Sequence, residues 1–208
     1  MKPRFRYAAL VCLCLLWSGG CSGVLDPGPA LRHLLLSPEL PARTHSDPAP
    51  FQLAVAMPDA GNDINTDRIA ALFAGYEVRY LGTAKWAEPV PRMLQRLLVE
   101  SLEVSGVAAG VSADDSGFVP QIRLACDVKR FYLRYPDNGG AEVEVAALMR
   151  LLDLRSGKVL GHKLLQTRGK AADHSRQEMV RAFDSAVGVL LSQNSLWTGE
   201  VLRDLAGR

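Results

Sequence analysis

Apolar and polar residues alternate along residues 122–128 and 143–151, which predicts two strands that each bury one face. A third strand is predicted at residues 159–168, because the turn-forming sequence RSGK precedes it as PDNGG precedes the second. The apolar phase flips between Val128 and Phe131, which predicts a bulge in the first strand. Short turns between consecutive strands predict an antiparallel meander.

The first half of the chain contains shorter strand-like segments. Alternation predicts a strand at residues 51–57 and a hairpin at residues 69–80, whose turn contains Gly75. A helical turn at residues 67–74 is the alternative to the first strand of this hairpin. Residues 31–37 (LRHLLLS) are a candidate first strand. Residues 38–50 contain four prolines and are predicted to be a loop, because proline fixes φ and removes a backbone donor.

Two other segments repeat their apolar residues every three or four positions, which predicts amphipathic helices. The first covers residues 90–104 and is predicted to end near Gly106. The second begins with Ser175 and Glu178 in the spacing of a capping box and carries an apolar stripe over residues 179–191. Both helices therefore have one face to bury.

The order of strands, helix, strands and helix predicts an α+β fold. We expect a mostly antiparallel β-sheet with the two amphipathic helices packed on one face. A single domain is expected to span residues 30–208. The pattern does not decide the conformation of residues 196–205, which pack either on this domain or on a partner.

The N-terminus has the composition of an export signal. Three basic residues precede an apolar segment, residues 7–17, that is too short to span a bilayer comfortably. Residues 1–20 are therefore predicted to be a signal peptide. The cysteine after it, Cys21, resembles the lipidated cysteine of bacterial lipoproteins, although Ser18 stands where the usual signal has Leu. Secretion without lipidation and a retained hydrophobic anchor are the alternatives.

Lipidation of Cys21 would attach the mature chain to a membrane through several acyl chains, palmitate among them. Each buried methylene contributes about 0.8 kcal/mol, so several chains together make release negligible. Residues 21–29 contain Pro27 and Pro29 and are predicted to be a tether between this anchor and the domain.

The charge of the chain does not indicate nucleic-acid binding. The formal net charge is +2, but three of the 24 basic residues, Lys2, Arg4 and Arg6, belong to the predicted signal peptide. The remainder has 21 basic and 22 acidic residues, a net charge of −1. With 48% hydrophobic and 22% charged residues the mature chain is expected to be globular, without an overall basic footprint.

No catalytic, cofactor or metal-binding motif stands out. The sequence has no phosphate loop, dinucleotide fingerprint or serine-hydrolase motif, and its four histidines lack the spacing of a zinc site. Cys126 is predicted to be a small buried hydrophobe. Glu142 and Glu144 share one face of a predicted strand and are interpreted as part of a solvated sheet face. We therefore expect a binding protein rather than an enzyme, with no cofactor and no metal.

Trp86 stands just before the first predicted helix. An aromatic side chain at this place either packs back on the first turns of the helix or forms an exposed anchor in a protein interface, since tryptophan supplies a large contact area. The sequence leaves both interpretations open.

Residues 79–103, RYLGTAKWAEPVPRMLQRLLVESLE, resemble the ABC-type transport auxiliary lipoproteins, a family that includes the lipoprotein component of the paraquat-inducible transport system. The resemblance rests on WAE at 86–88, on the two prolines that follow and on the leucine-rich helix. It extends to LSP at 36–38, to TDRI at 66–69 and to a late helix followed by Trp197, and so covers nearly the whole mature chain.

The resemblance implies a non-catalytic subunit of a lipid-transport machine. Such machines combine an inner-membrane ABC permease, a cytoplasmic ATPase and a mammalian-cell-entry (MCE) domain protein in the periplasm. The lipoprotein would hold the periplasmic part at the outer membrane, facing the periplasm. Ser22 favours the outer membrane, because Asp at this place retains enteric lipoproteins at the inner one. A homo-oligomer is left open.

Four residues are candidates for the contact with a partner: Trp86, Trp197, and Arg92 and Arg96 on the exposed side of the first predicted helix. Two other functions are weighed against this one. The first is an envelope-assembly lipoprotein that binds a different periplasmic machine. The second is a lipid-anchored hydrolase, which would need a Ser or Asp beside a His in the fold.

Overall fold

The computed structural model describes residues 31–43, 47–114, 117, 119–136 and 139–207. The described strands are β1 Arg32–Leu34, β2 Ala49–Val55, β3 Asp59–Ala60, β4 Arg68–Phe73, β5 Glu77–Trp86, β6 Ala108–Ala113, β7 Ile122–Arg134, β8 Ala141–Asp153 and β9 Val159–Ala171. The helices are α1 Val90–Ser105, between β5 and β6, and α2 Arg176–Ala206, after β9. The predicted signal peptide, Cys21 and the predicted tether lie outside the described residues.

β7, β8 and β9 form an antiparallel meander of three 13-residue strands, as the alternation predicts. The register of β7 against β8 shifts between Val128 and Arg130, which confirms the predicted bulge. Ile122 and Val128 before the bulge and Phe131 after it are all buried. The extra residue therefore keeps the apolar side of the strand on the core throughout its length.

The other edge of β7 pairs in turn with β2, β3 and β4, all parallel to it. β4 and β5 form the predicted antiparallel hairpin, while β1 adds to β5 and β6 adds to β2 in parallel. The sheet is therefore mixed, and its longest ladders are antiparallel. This arrangement confirms the predicted α+β class. The parallel pairings are not visible in the sequence pattern, because they join segments that are distant in the chain.

α1 has nearly the bounds that its periodicity predicts. It begins directly after Pro89, whose fixed φ suits a helix entrance. It ends at Gly106, which adopts a φ of 68°, the left-handed conformation that glycine accepts without steric strain. Its apolar stripe, which includes Met93 and Leu97, is buried.

α2 is longer than the sequence pattern predicts. The Ser175 side chain accepts a hydrogen bond from the backbone N–H of Glu178 at 3.3 Å, which confirms Ser175 as the N-cap. The second half of the predicted capping box is not formed, because the backbone N–H of Ser175 donates to Oδ1 of Asp173 at 2.7 Å and not to Glu178. The helix then continues without interruption, so residues 196–205 are its last turns. Their packing on the domain decides between the two alternatives that the pattern leaves open.

Both helices lie on the same face of the sheet, as predicted. They contact each other through buried serines, and the hydroxyl oxygens of Ser101 and Ser195 are 2.8 Å apart. α2 lies directly on β9, because Gly169 leaves room for it: a Cβ at this position would be 1.9 Å from the carbonyl oxygen of Ala182. The core fills the space between the sheet and this helix layer.

The segment after β1 crosses α2 instead of continuing as a strand. Leu36 is buried in the core, and the backbone N–H of Ser37 donates to Oδ1 of Asp184 in α2 at 2.8 Å. The predicted first strand is therefore right only for the three residues of β1.

Candidate functional site

The structure places Trp86 in the core. The side chain is 1% exposed, and its ring meets the ring of Phe183 edge-on with the centroids 5.0 Å apart. The ring of Phe131 approaches it in the same way at 6.1 Å. A side chain enclosed by aromatic rings offers no contact area to a partner, so the interpretation of Trp86 as an exposed anchor is wrong and the packing interpretation is confirmed.

Trp197 is also unavailable to a partner. It is 8% exposed and lies on the sheet beside Gly161 in β9, where a Cβ would be 3.4 Å from its Cζ2 atom. The burial of this side chain therefore contradicts a partner contact made through Trp197 itself. This tryptophan attaches the last turns of α2 to the domain.

Arg92 and Arg96 are exposed on the outer side of α1, where they line an open groove of about 460 Å³. Nε of Arg96 lies 3.1 Å from Oε1 of Glu88, and its Nη1 lies 4.0 Å from Oε2 of Glu100. Arg92 forms no ion pair within the described part of the chain. The groove therefore has one arginine held by carboxylates and one that is free to meet a partner.

The floor of this groove comes from both α1 and β6. Gln95 and Val99 contribute from the helix, and Ala113 contributes from the strand. Gln95 is held in place, since its side-chain amide donates to the backbone carbonyl of Val55 at 3.0 Å. A shallow groove with a small apolar floor and charged walls is suited to docking a polypeptide. We name the surface formed by Glu88, Arg92, Gln95, Arg96, Val99, Glu100, Glu103 and Ala113 the α1 groove.

The described residues include no assembled cluster of metal ligands. In this part of the chain no three His, Cys, Asp or Glu side chains come together as metal ligands would. Burial raises the pKa of the Cys126 thiol to about 12, so it stays protonated and is a poor nucleophile. His33, His162 and His174 are all exposed. Cys21, the predicted lipidation site, lies outside the described residues.

One polar cluster is missing from the sequence prediction. The sequence pattern predicts Glu144 on a solvated sheet face, but its side chain is buried and the residue is only 7% exposed. Its carboxylate accepts hydrogen bonds from Arg130 at 3.3 Å and from Arg134 at 2.7 Å. Alternation predicts the face on which Glu144 lies, but only the bulge in β7 brings both arginines to that face.

Among the described residues we find no helical segment with the length and hydropathy of a membrane span.

Comparisons with known proteins find one matching family and solved structures of the same fold. A family model described as "ABC-type transport auxiliary lipoprotein component" matches residues 33–193. The crystal structure of protein XCC0632 from Xanthomonas campestris has a TM-score of 0.76 and 22% sequence identity, covering 84% of this chain and 99% of that one. A second crystal structure, of an uncharacterized protein, has a TM-score of 0.58 and 16% identity over 85% of this chain and 99% of the other. At these identities the likeness shows the fold alone.

A relative by sequence is the uncharacterized protein bll6063 of Bradyrhizobium diazoefficiens. It is 30% identical over 114 residues, which are 54% of this chain and 30% of the relative. This chain therefore matches less than a third of the length of that relative.

Proposed function

Because the chain belongs to the ABC-type transport auxiliary lipoprotein family, we propose that it is the lipoprotein subunit of an envelope lipid-transport system with an ABC permease, an ATPase and an MCE-domain protein. The observation that carries the proposal is the family match over residues 33–193. The subunit is non-catalytic and docks the periplasmic part of the machine at the outer membrane. The family supports this, because it is an auxiliary component and not a known enzyme family.

The anchor is the first element of the proposed mechanism. Acylated Cys21 holds the chain in the outer membrane, and Ser22 after it supports sorting to that membrane. Residues 22–29 then give the domain a reach of roughly 25 Å if they are extended at ~3.1 Å per residue. A tethered surface has a high local concentration at its target, so a weak contact is sufficient for docking.

The α1 groove is the second element. Its exposed Arg92 has no ion-pair partner within the described chain, and an arginine in this situation binds a carboxylate of another protein well. Glu88, Glu100 and Glu103 on the same groove supply the opposite charge, so the surface selects partners by charge pattern as well as by fit. We assign the contact with the MCE-domain protein to this groove.

Membrane fractionation combined with affinity capture tests both elements. The wild-type chain is expected in the outer-membrane fraction, where it captures the MCE-domain protein. Cys21→Ser is expected to leave that fraction. The double variant Arg92→Glu/Arg96→Glu is expected to remain there but to lose the capture.

The matched control is Arg155→Glu/Lys158→Glu, an equal charge reversal in the exposed turn between β8 and β9. It should capture the partner as the wild type does. Capture that survives the α1 reversal would refute the assignment to the α1 groove. A wild-type chain that captures no MCE-domain, permease or ATPase subunit would refute the proposed function itself.

A further inference from the structure

The face of β7, β8 and β9 that is turned away from the helices carries a cluster of cations. The register of the ladders sets Glu142 between Arg134 and Lys170, and it sets Glu144 directly opposite Arg168. Side chains at directly paired positions on one face have their Cβ atoms about 5 Å apart, so these groups are close neighbours. Arg168 and Lys170 are exposed, and they form no ion pair with any described residue.

Glu144 organises this cluster. Its two carboxylate oxygens accept from two different guanidinium groups, Nη1 of Arg130 and Nη1 of Arg134. A guanidinium has five N–H donors, and the side chains of Arg130 and Arg134 are still 45% and 32% exposed. The buried carboxylate therefore holds two arginines in place while most of their donors remain available to a ligand.

A loop closes one side of the cluster. The Tyr132 hydroxyl donates to Oδ2 of Asp63, and the Tyr80 hydroxyl donates to the backbone carbonyl of the same residue at 3.3 Å. Burial and the nearby Asp63 carboxylate raise the pKa of Tyr132, so the hydroxyl keeps its proton and remains a donor. The loop residue Asp63 is therefore attached to Tyr132, which lies between Arg130 and Arg134 along β7.

The charges within this cluster, apart from the separate ion pairs of Asp127 with Lys129 and Arg150 farther along the sheet, do not balance. Four cations, Arg130, Arg134, Arg168 and Lys170, stand with Glu142, Glu144 and Asp63, which leaves one positive charge in excess. A monoanion with several acceptor oxygens would neutralise this excess and use the free N–H groups. A phosphodiester has this chemistry, and guanidinium groups match the geometry of phosphate oxygens in a bidentate manner.

We propose that the sheet face formed by Arg130, Arg134, Arg168 and Lys170 binds the phosphate group of an anionic phospholipid, with Glu144 as the positioning residue. The choice of a lipid as the source of the phosphate rests on the proposed function. The phosphate chemistry rests on the arginine geometry alone. Because Glu144 holds Arg130 and Arg134 in advance, binding immobilises few additional side chains.

The test is a titration of the purified full-length protein in nonionic detergent with dihexanoyl phosphatidylglycerol, followed by calorimetry. The matched diacylglycerol without phosphate is the ligand control and should not bind. The variant Arg168→Glu/Lys170→Glu is expected to weaken binding by about tenfold or more, since hydrogen bonds to charged groups are involved. Lys163→Glu lies on the same strand but on its other face, so it should bind like the wild type.

Glu144→Gln separates a built site from general electrostatic attraction. It adds one net positive charge, so general attraction predicts tighter binding. Loss of the carboxylate that holds the two arginines predicts binding that is several-fold weaker. Thermal unfolding of each variant checks that the fold is retained, and Glu144→Asp offers a conservative rescue of the carboxylate.

Three results would overturn the proposal: tighter binding by Glu144→Gln, unchanged binding by Arg168→Glu/Lys170→Glu, or stronger binding of polyglutamate than of the lipid. Competition by inorganic phosphate that equals competition by the lipid would refute the lipid as the source. These outcomes are distinct from failure of the proposed function. A chain that captures its MCE partner but binds no phosphate ligand refutes the site alone.

Discussion

Replacing Gly169 by alanine tests how the helix layer sits on the sheet. The position lies in β9 beneath α2, and an added Cβ would be 1.9 Å from the carbonyl oxygen of Ala182, 2.8 Å from its carbonyl carbon and 3.1 Å from its Cα. Real Cβ atoms almost never approach closer than 3.0 Å. The strand and the helix must therefore separate by about 1 Å, because backbone atoms cannot rotate away.

The expected loss of stability follows from this separation. Overpacking a core usually costs 1–3 kcal/mol and sometimes more. We expect Gly169→Ala to lower the free energy of unfolding by about 3 kcal/mol, because the added methyl group clashes with backbone atoms. Moving α2 away from the sheet also weakens the contacts of Phe183 with the other aromatic rings. For a chain of this size that loss lowers the Tm by roughly 6–12 °C.

Gly161→Ala is the matched control. Gly161 lies in the same strand, and an added Cβ there would meet only side-chain atoms, Cζ2 of Trp197 at 3.4 Å and Cγ2 of Val201 at 3.6 Å. The effect of alanine on the unfolded chain and on strand propensity is common to both variants. The free energy of unfolding of Gly161→Ala is therefore expected to lie within about 0.5 kcal/mol of the wild-type value.

Denaturant unfolding of both variants and the wild type in the same detergent is the assay. If Gly169→Ala were as stable as Gly161→Ala, the close contact between α2 and β9 would be refuted.

Three further predictions concern buried groups. Trp86→Ala should lower the free energy of unfolding by about 3–5 kcal/mol because it removes the central ring of an aromatic cluster. A denaturation curve like that of the wild type would contradict the burial of Trp86. Burial raises the pKa of the Asp184 carboxyl in the folded protein above its value in the unfolded chain. The protonated carboxyl therefore stabilises the fold fully at a pH below the pKa of the unfolded chain, and this stabilisation is lost as the pH rises through the pKa of the folded protein. Asp184→Asn can still accept the N–H of Ser37 and should flatten thermal stability across that pH window, whereas a profile as steep as that of the wild type would contradict this reasoning. Peptide mapping after alkylation should find Cys126 unmodified in the native protein and modified after unfolding, and rapid native labelling would contradict its burial.

The sequence pattern predicts those elements whose periodicity is created locally. The meander and α1 each bury one face, so their apolar spacing records the geometry directly. β6 (AAGVSA) is absent from the prediction, because small residues give no contrast between a buried and an exposed side. The sequence pattern misses the last turns of α2 for a related reason. Its buried positions include Asn194, Ser195 and Thr198, which interrupt the apolar stripe although they face the interior.

The candidate contact residues also differ in whether local periodicity determines their position. Periodicity correctly predicts that Arg92 and Arg96 lie on the exposed side of α1, because a helix with a single apolar stripe has a defined outer side. It cannot place Trp86, since the rings that enclose this tryptophan come from β7 and α2, far along the chain. Tertiary neighbours of this kind are not recorded in local spacing.

The bulge in β7 explains why the strands that pair with the first part of one edge, β2 and β3, differ from the strand that pairs with its end, β4. Before it, residues 122–124 pair with β2; after it, Leu133 and Arg134 pair with β4. A bulge bends its strand and increases the local twist, so the two halves can point toward different neighbours. The same extra residue brings Arg130 and Arg134 onto the face of Glu144 while Phe131 stays in the core. The fold of the sheet and the proposed phosphate site therefore depend on one local irregularity, and any substitution that removed the bulge would disturb both together.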